Sequence, residues 1–247
     1  MKKTVKVEEV KPSFTNRRSF LKISGLAIAG TGLLIAGCNN DDDGLSMDEQ
    51  LPGVRNGVFD LGGGDLGILT YAYALEQLEA DFYTRVVNGN TFGSVFSTEE
   101  QAVLTDLYRH EVIHREFFRT ALTGALNNPD RLLPDLNFDY GALNFGNRTQ
   151  VLQTAKTLED TGVAAYNGAG RYITTPDYLV IAGKIVSVEA RHASAIRSLL
   201  NPGSADFAGN DIVDSNGLDP AQMPSQILAA VTSLDIIQTE FTAQFLP

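Results

Sequence analysis

The chain has 247 residues, a formal charge of -11 at pH 7 and one cysteine. A single cysteine excludes an internal disulfide and any cysteine-based zinc or iron–sulfur site. The acidic balance argues against nucleic acid as a partner, and against anionic lipid attracted by charge.

The first stretch is set apart from the fold. Residues 1–22 hold seven Lys/Arg and two acidic groups and end in NRRSFLK; fifteen small or apolar residues then run into Cys38. That run is shorter than the roughly 20 residues needed to span a bilayer. Arg17 and Arg18, followed by SFLK, resemble a twin-arginine export signal. IAGC resembles the lipobox of bacterial lipoproteins, whose cysteine becomes the lipidated first residue. Together these motifs imply that residues 1–37 are a signal peptide. They further imply that Cys38 carries lipid and that the protein is exported to the bacterial cell envelope, membrane-anchored and facing the periplasm. Because residues 1–37 hold seven basic and two acidic groups, the remaining 210 residues carry 12 basic and 28 acidic groups, a charge of -16. Residues 38–61, which include NNDDDGLSMDEQLPG, read as an acidic flexible tether, and 62–247 as one helical domain of ordinary size.

A first helix is expected over 66–88, with Leu69, Tyr73, Ala80, Tyr83 and Val87 on a bundle seam. Asp65 reads as its N-cap and Gly89 as its stop. Glu76 occupies the position on this seam where a core side chain belongs. A second helix is expected from Thr98, with Gln101 in capping-box position. Its inward stripe joins Leu104, Leu107, Phe118 and Leu122 with Glu111 and His114. His110, about 100° round the helix from Glu111, reads as a rim group whose loss should leave that face intact.

A Pro/Asn/Gly-rich connection at 127–148 suits a crossover running the length of a bundle. A third helix over 149–167 sets Leu152, Ala155, Gly162 and Tyr166 around Glu159, with Gly162 permitting close approach. A fourth opens at Thr175–Pro176, and its apolar face of Ile181, Ile185, Val188, Ile196 and Leu199 includes Glu189 and His192. A polar stretch, 201–223, precedes a last helix over 225–239 with Ile227, Val231 and Leu234 on one side. No strand-like alternation runs over any useful length. The fold class is all-α: a four-helix bundle with a long crossover and an additional C-terminal helix.

The chemistry lies in a repeat. Glu76 is followed seven residues later by Tyr83, then by Glu111-x-x-His114; Glu159 is followed seven residues later by Tyr166, then by Glu189-x-x-His192. An i,i+3 pair shares one helical face. Two such helices facing two single-glutamate helices give four carboxylates and two imidazoles in one cavity, the ligand pattern of di-iron and di-manganese bundles. Glu and His are ordinary surface residues, so EVIH alone reads as a solvated face; the duplication points to a site. Burying four glutamates without cations is expensive, and two divalent ions neutralise them. Glu79 competes with Glu76, but the tyrosine spacing favours Glu76 and leaves Glu79 and Glu116 as outer-face or supporting groups. Tyr83 and Tyr166 are core aromatics and candidate hydrogen-bond donors near the metals. Asp160 and His110 are candidates to support the ligands from behind.

YALEQLEADFY, RHEVIHREFF and VSVEARHASAI resemble the first helix and the two E-x-x-H helices of the ferritin-like superfamily, specifically the domain of exported bacterial and desiccation-related proteins. The resemblance covers about 62–200. It implies Glu76, Glu111, His114, Glu159, Glu189 and His192 as metal ligands, with Glu111 and Glu159 as candidate bridges. Two Fe ions are the first choice and two Mn ions the alternative, since O/N ligand sets do not separate them. The activities it implies are iron oxidation and reaction with O₂ or peroxide. The alternative is a non-catalytic stress-protection or interaction protein in which metal is structural or absent. The chain departs from the pattern in having no C-x-x-C electron-transfer module, which excludes a complete rubrerythrin. Its lipobox, long crossover and 201–223 insertion argue against a 24-subunit storage cage.

Overall fold

The computed structural model describes residues 50–247. The signal segment, Cys38 and residues 38–49 of the expected tether lie outside the described residues.

The described chain opens on a hairpin. Strand β1 (Gly53–Arg55) pairs antiparallel with β2 (Val58–Asp60) around Asn56 and Gly57, with φ of 51° and 85°. Asn-Gly at two positive-φ positions is the sequence that tight hairpins require. Strand β2 also pairs in parallel with β3 (Phe241–Thr242) near the other end of the chain. Buried Asp60 ties the three together, accepting from Gly62 N, Thr242 Oγ1 and Gln244 N. Phe59 and Leu61 are buried with it. Residues 53–61 are thus part of the folded unit, and the expectation of a flexible tether through 61 does not hold there. These strands are too short to carry a legible alternation, and their partner is far away in sequence.

Six helices follow: α1 (Gly64–Val87), a single turn α2 (Phe92–Val95), α3 (Thr98–Leu126), α4 (Arg148–Gly170), α5 (Pro176–Leu200) and α6 (Pro224–Ser233). The four long ones form the bundle as two hairpins, α1 with α3 and α4 with α5. Helix α1 is buried on every side from Gly67 to Ala80, which marks an interior helix rather than an amphipathic surface one. Its outer side is covered by the crossover: Gln77 bonds Pro134 O and Leu136 N, and the Tyr140 hydroxyl reaches Leu78 O. An antiparallel bridge, Phe138 to Ile237, joins the crossover to the chain beyond α6.

Several boundaries differ from the sequence reading. Helix α3 is capped by Ser97 with Glu100 completing the capping box, one residue earlier than Thr98 and Gln101. Asp65 lies inside the first turn of α1 and accepts instead from the Thr174 and Thr175 amides, fixing the α4–α5 turn. Helix α6 stops at Ser233 because Asp235 adopts φ 53° and turns the chain toward β3. Leu234 is consequently exposed, whereas Ile227 and Val231 are buried. The 201–223 insertion is held by buried Arg197 of α5, which pairs with Asp160 of α4 and Asp211 of the insertion.

Candidate metal centre

Each bundle helix contributes to one interior cluster. Glu76 comes from α1, Glu111 and His114 from α3, Glu159 from α4, and Glu189 and His192 from α5. All four glutamates are 0% exposed, and His114 is the most open of the six, its side chain 11% exposed. The i,i+3 spacing turns each histidine to the same side as the glutamate preceding it.

The histidine Nδ1 atoms face the carboxylates. That of His114 lies 2.8 Å from Glu189, 3.4 Å from Glu76 and 3.5 Å from Glu111. That of His192 lies 2.6 Å from Glu111, and 3.5 Å from both Glu159 and Glu189. Two groups result, Glu76–Glu111–His114–Glu189 and Glu111–Glu159–Glu189–His192, each offering four ligand atoms within 4.8 Å of one another. Glu111 and Glu189 belong to both. Glu159, expected to pair with Glu111 as a shared carboxylate, belongs to one; Glu189 takes that place because it sits between the two histidines.

Two tyrosines cross the bundle. Tyr83 of α1 donates to Glu159 of α4 at 2.6 Å, and Tyr166 of α4 donates to Glu76 of α1. Such reciprocity requires α1 and α4 to run antiparallel with the two glutamates near a pseudo-two-fold axis. Burial pushes both hydroxyls above their ordinary value, with the adjacent carboxylates adding to the effect, so they remain donors. Each bond occupies one oxygen of its glutamate and leaves the other for the cluster.

Eight buried donor atoms then have no aligned hydrogen-bond partner: one oxygen each of Glu76 and Glu159, both oxygens of Glu111 and Glu189, and Nδ1 of both histidines. The short Nδ1–oxygen separations are near in distance but misdirected for an N–H···O bond. Unpaired buried donors of this kind are costly, and a cation among them satisfies them together. The electrostatics agree. Burial raises Glu111 to about 8, with Glu189 adding to it, and burial raises Glu159 to about 7 against the opposing pull of His192. Burial acts upward on Glu189 too, but the two histidines outweigh it and hold Glu189 at about 2. Both imidazoles are driven upward: burial disfavours their charge, and the surrounding carboxylates, Glu76 and Glu159 foremost, overcome it. The cluster draws positive charge, and its O/N donors suit divalent cations.

The family model for the ferritin-like domain matches residues 64–202. The chain belongs to the ferritin-like domain family. No curated protein matches it.

Within this ferritin-like domain the remaining expected site residues divide. His110 does reach the cluster: its Nδ1 lies 2.9 Å from Nε2 of His192, with the two ring planes nearly parallel, which fits its place as a candidate to support the ligands from behind. Asp160 supports no histidine; both its oxygens are taken by Arg197. Glu116 is exposed and paired with Arg115. Glu79 is buried, not outward-facing, and its Oε2 has no partner. Burial, reinforced by Glu189 and the other glutamates, raises it well above the ordinary range. Its place is made by Gly162, where an added Cβ would stand 3.0 Å from Glu79 Oε1. The offset that maps Glu76 onto Glu159 and Tyr83 onto Tyr166 also maps Glu79 onto Gly162. One side chain therefore fills the space that two symmetric ones would contest.

Proposed function

We propose that this ferritin-like domain is a di-metal carboxylate protein that oxidises Fe(II) or reacts with O₂ or peroxide. The observation that carries this reading is the set of eight buried, unpartnered donor atoms turned on one another in two overlapping groups. Glu76 and His114 would hold one ion, Glu159 and His192 the other, and Glu111 and Glu189 would bridge. Tyr83 and Tyr166 orient the two outer carboxylates, leaving one oxygen of each for a metal. Glu76, Glu111, Glu159 and Glu189 would together set four carboxylates against two divalent ions. A bound pair of iron ions would supply the electrons that reduce O₂ or peroxide, and manganese is the alternative. Burial of all four carboxylates excludes bulk water from the site.

We propose further that the domain is exported by the twin-arginine-like signal and anchored at the bacterial envelope through lipid on Cys38, on the support of the Arg17–Arg18 and IAGC motifs. Intact mass of the native membrane fraction tests the anchor: loss of residues 1–37 with lipid on Cys38 supports it, and a soluble product retaining Met1 overturns it.

Anaerobic titration of the wild type should show two strong Fe(II) or Mn(II) equivalents, followed by O₂ or peroxide consumption by the iron-loaded protein. Absence of tight binding near neutral pH would overturn the site. Two bound ions without turnover would favour the non-catalytic reading, in which metal braces the four helices; the near-complete burial of the ligands is what speaks for that alternative.

A further inference from the structure

The two histidines of the cluster are not served alike. His192 turns Nδ1 to Glu111, Glu159 and Glu189, and Nε2 to the Nδ1 of His110 at 2.9 Å. The His110 and His192 rings are parallel to within 9°, their centroids 5.2 Å apart. His114 turns Nδ1 to the same kind of carboxylate wall. The offset that maps His114 onto His192 maps His110 onto Val188, which has no polar side-chain atom.

We propose that His110 is a positioning residue that fixes the tautomer of His192, so that the two metal positions are unequal and the one served by His192 is the tighter. This rests on the di-metal reading above.

A neutral imidazole has one N–H and one lone pair. If Nδ1 of His192 ligates a cation, its proton sits on Nε2. His192 is 3% exposed, so that N–H requires a protein acceptor, and the Nδ1 of His110 is at hydrogen-bonding distance. It accepts only when the proton of His110 is on its own Nε2. With a cation on Nδ1 of His192, this one arrangement of protons runs through both rings. Without His110, the ring of His192 is free to keep its proton on Nδ1, 2.6 Å from Glu111 Oε1, and a cation must first displace it. Val188, at the position equivalent to His110, offers His114 no such acceptor. His110 itself is exposed on α3, so replacing it removes the hydrogen bond without opening the core.

The test uses the full chain at one fixed pH, with variants matched for helix content by circular dichroism. Co(II) titration of the wild type should resolve two unequal steps. His110→Ala should weaken the tighter step by about tenfold to a hundredfold, the usual consequence of losing a group that orients a metal-bound histidine, and leave the weaker step unchanged. His110→Asn, whose side-chain oxygen can accept from Nε2–H, should restore most of the loss. In the Zn(II)-loaded protein, long-range ¹H–¹⁵N correlation spectra should show His192 and His110 both protonated at Nε2. Two bound ions with affinities unchanged in His110→Ala, equal weakening of both steps, no recovery in His110→Asn, or a proton on Nδ1 of either ring would overturn the proposal while leaving the metal centre intact. Failure of the wild type to bind Co(II) or Zn(II) would instead overturn the di-metal reading, and this inference with it.

Discussion

The α1–α3 hairpin and the α4–α5 hairpin each supply the same four chemical groups, yet they differ around those groups. Each gives one glutamate with a tyrosine seven residues on, and one E-x-x-H pair. Away from these positions the halves part: Glu79 faces Gly162, His110 answers to Val188, and α1 is enclosed where α4 and α5 keep exposed faces. The symmetric positions are those that must meet near the axis, where both halves see the same surroundings. The asymmetric ones lie where a single side chain suffices, or where two would collide.

The comparison breaks most visibly at the shared carboxylates. Glu111→Ala or Glu189→Ala should abolish both metal equivalents, because each lies in both four-residue groups. Glu76→Ala or Glu159→Ala should lower affinity at one position and spare the other. Equilibrium titration with Mn(II) separates the two outcomes.

The second test is acid–base and needs protein stripped of metal. Glu111 and Glu159 are raised to about 8 and about 7 from 4.5, so the folded state binds more protons than the unfolded state above about pH 4.5. The raised histidines act in the same sense above 6.5. Stability contributed by these groups is present below those unfolded values and is lost as pH rises through the folded ones. Glu189, lowered to about 2, contributes stability above 4.5 that is lost as pH falls toward 2. The melting temperature of the stripped protein should therefore fall from pH 5 to pH 8, and saturating Zn(II) should flatten that slope.

Making the axis crowded is a smaller perturbation. Gly162→Ala sets a methyl 3.0 Å from Glu79 Oε1 and should cost about 1–3 kcal/mol, as overpacking does. Glu79→Ala should recover part of that cost in the double variant, giving a non-additive cycle by urea denaturation. The smallest effect compares the openings of the two E-x-x-H helices. Ser97→Ala removes a full capping box from α3 and should cost about 1 kcal/mol. Thr175→Ala should cost less by the same urea midpoints, since Thr175 makes no side-chain cap bond and Pro176 already presets the first turn of α5.

The bundle and its six ligands were legible because helical period and duplicated spacing act over many residues. Glu76 stands out as a charge on an apolar seam, and nothing about the structure moves it. What stayed hidden depends on partners distant in the chain. The β1–β2 hairpin is stabilised by β3, some 180 residues away, and Asp160 is claimed directly by Arg197 of the neighbouring helix α5. Glu79 looked outward because it falls off the seam, but α1 is enclosed on all sides. The signal that could have found it was present: α1 lacks a polar face between Gly67 and Ala80, and Gly162 lies at the matching offset. His110 was legible as a candidate group behind the ligands, but its partner was not, because that partner belongs to the other hairpin.

The crossed tyrosines also bear on the order of folding. Neither hairpin can satisfy its own hydroxyl: Tyr83 has its acceptor on α4, and Tyr166 has its acceptor on α1. A hairpin that formed alone would hold an unpaired phenol and a row of unneutralised carboxylates, and would gain little by closing early. Docking of the two halves is thus the event that rewards both, and the centre comes into being only when the last long-range contacts are made. Partly assembled states are common in the folding of chains of this size. In such a state the six ligands are still split between two separate pieces, and an ion meets only half a site.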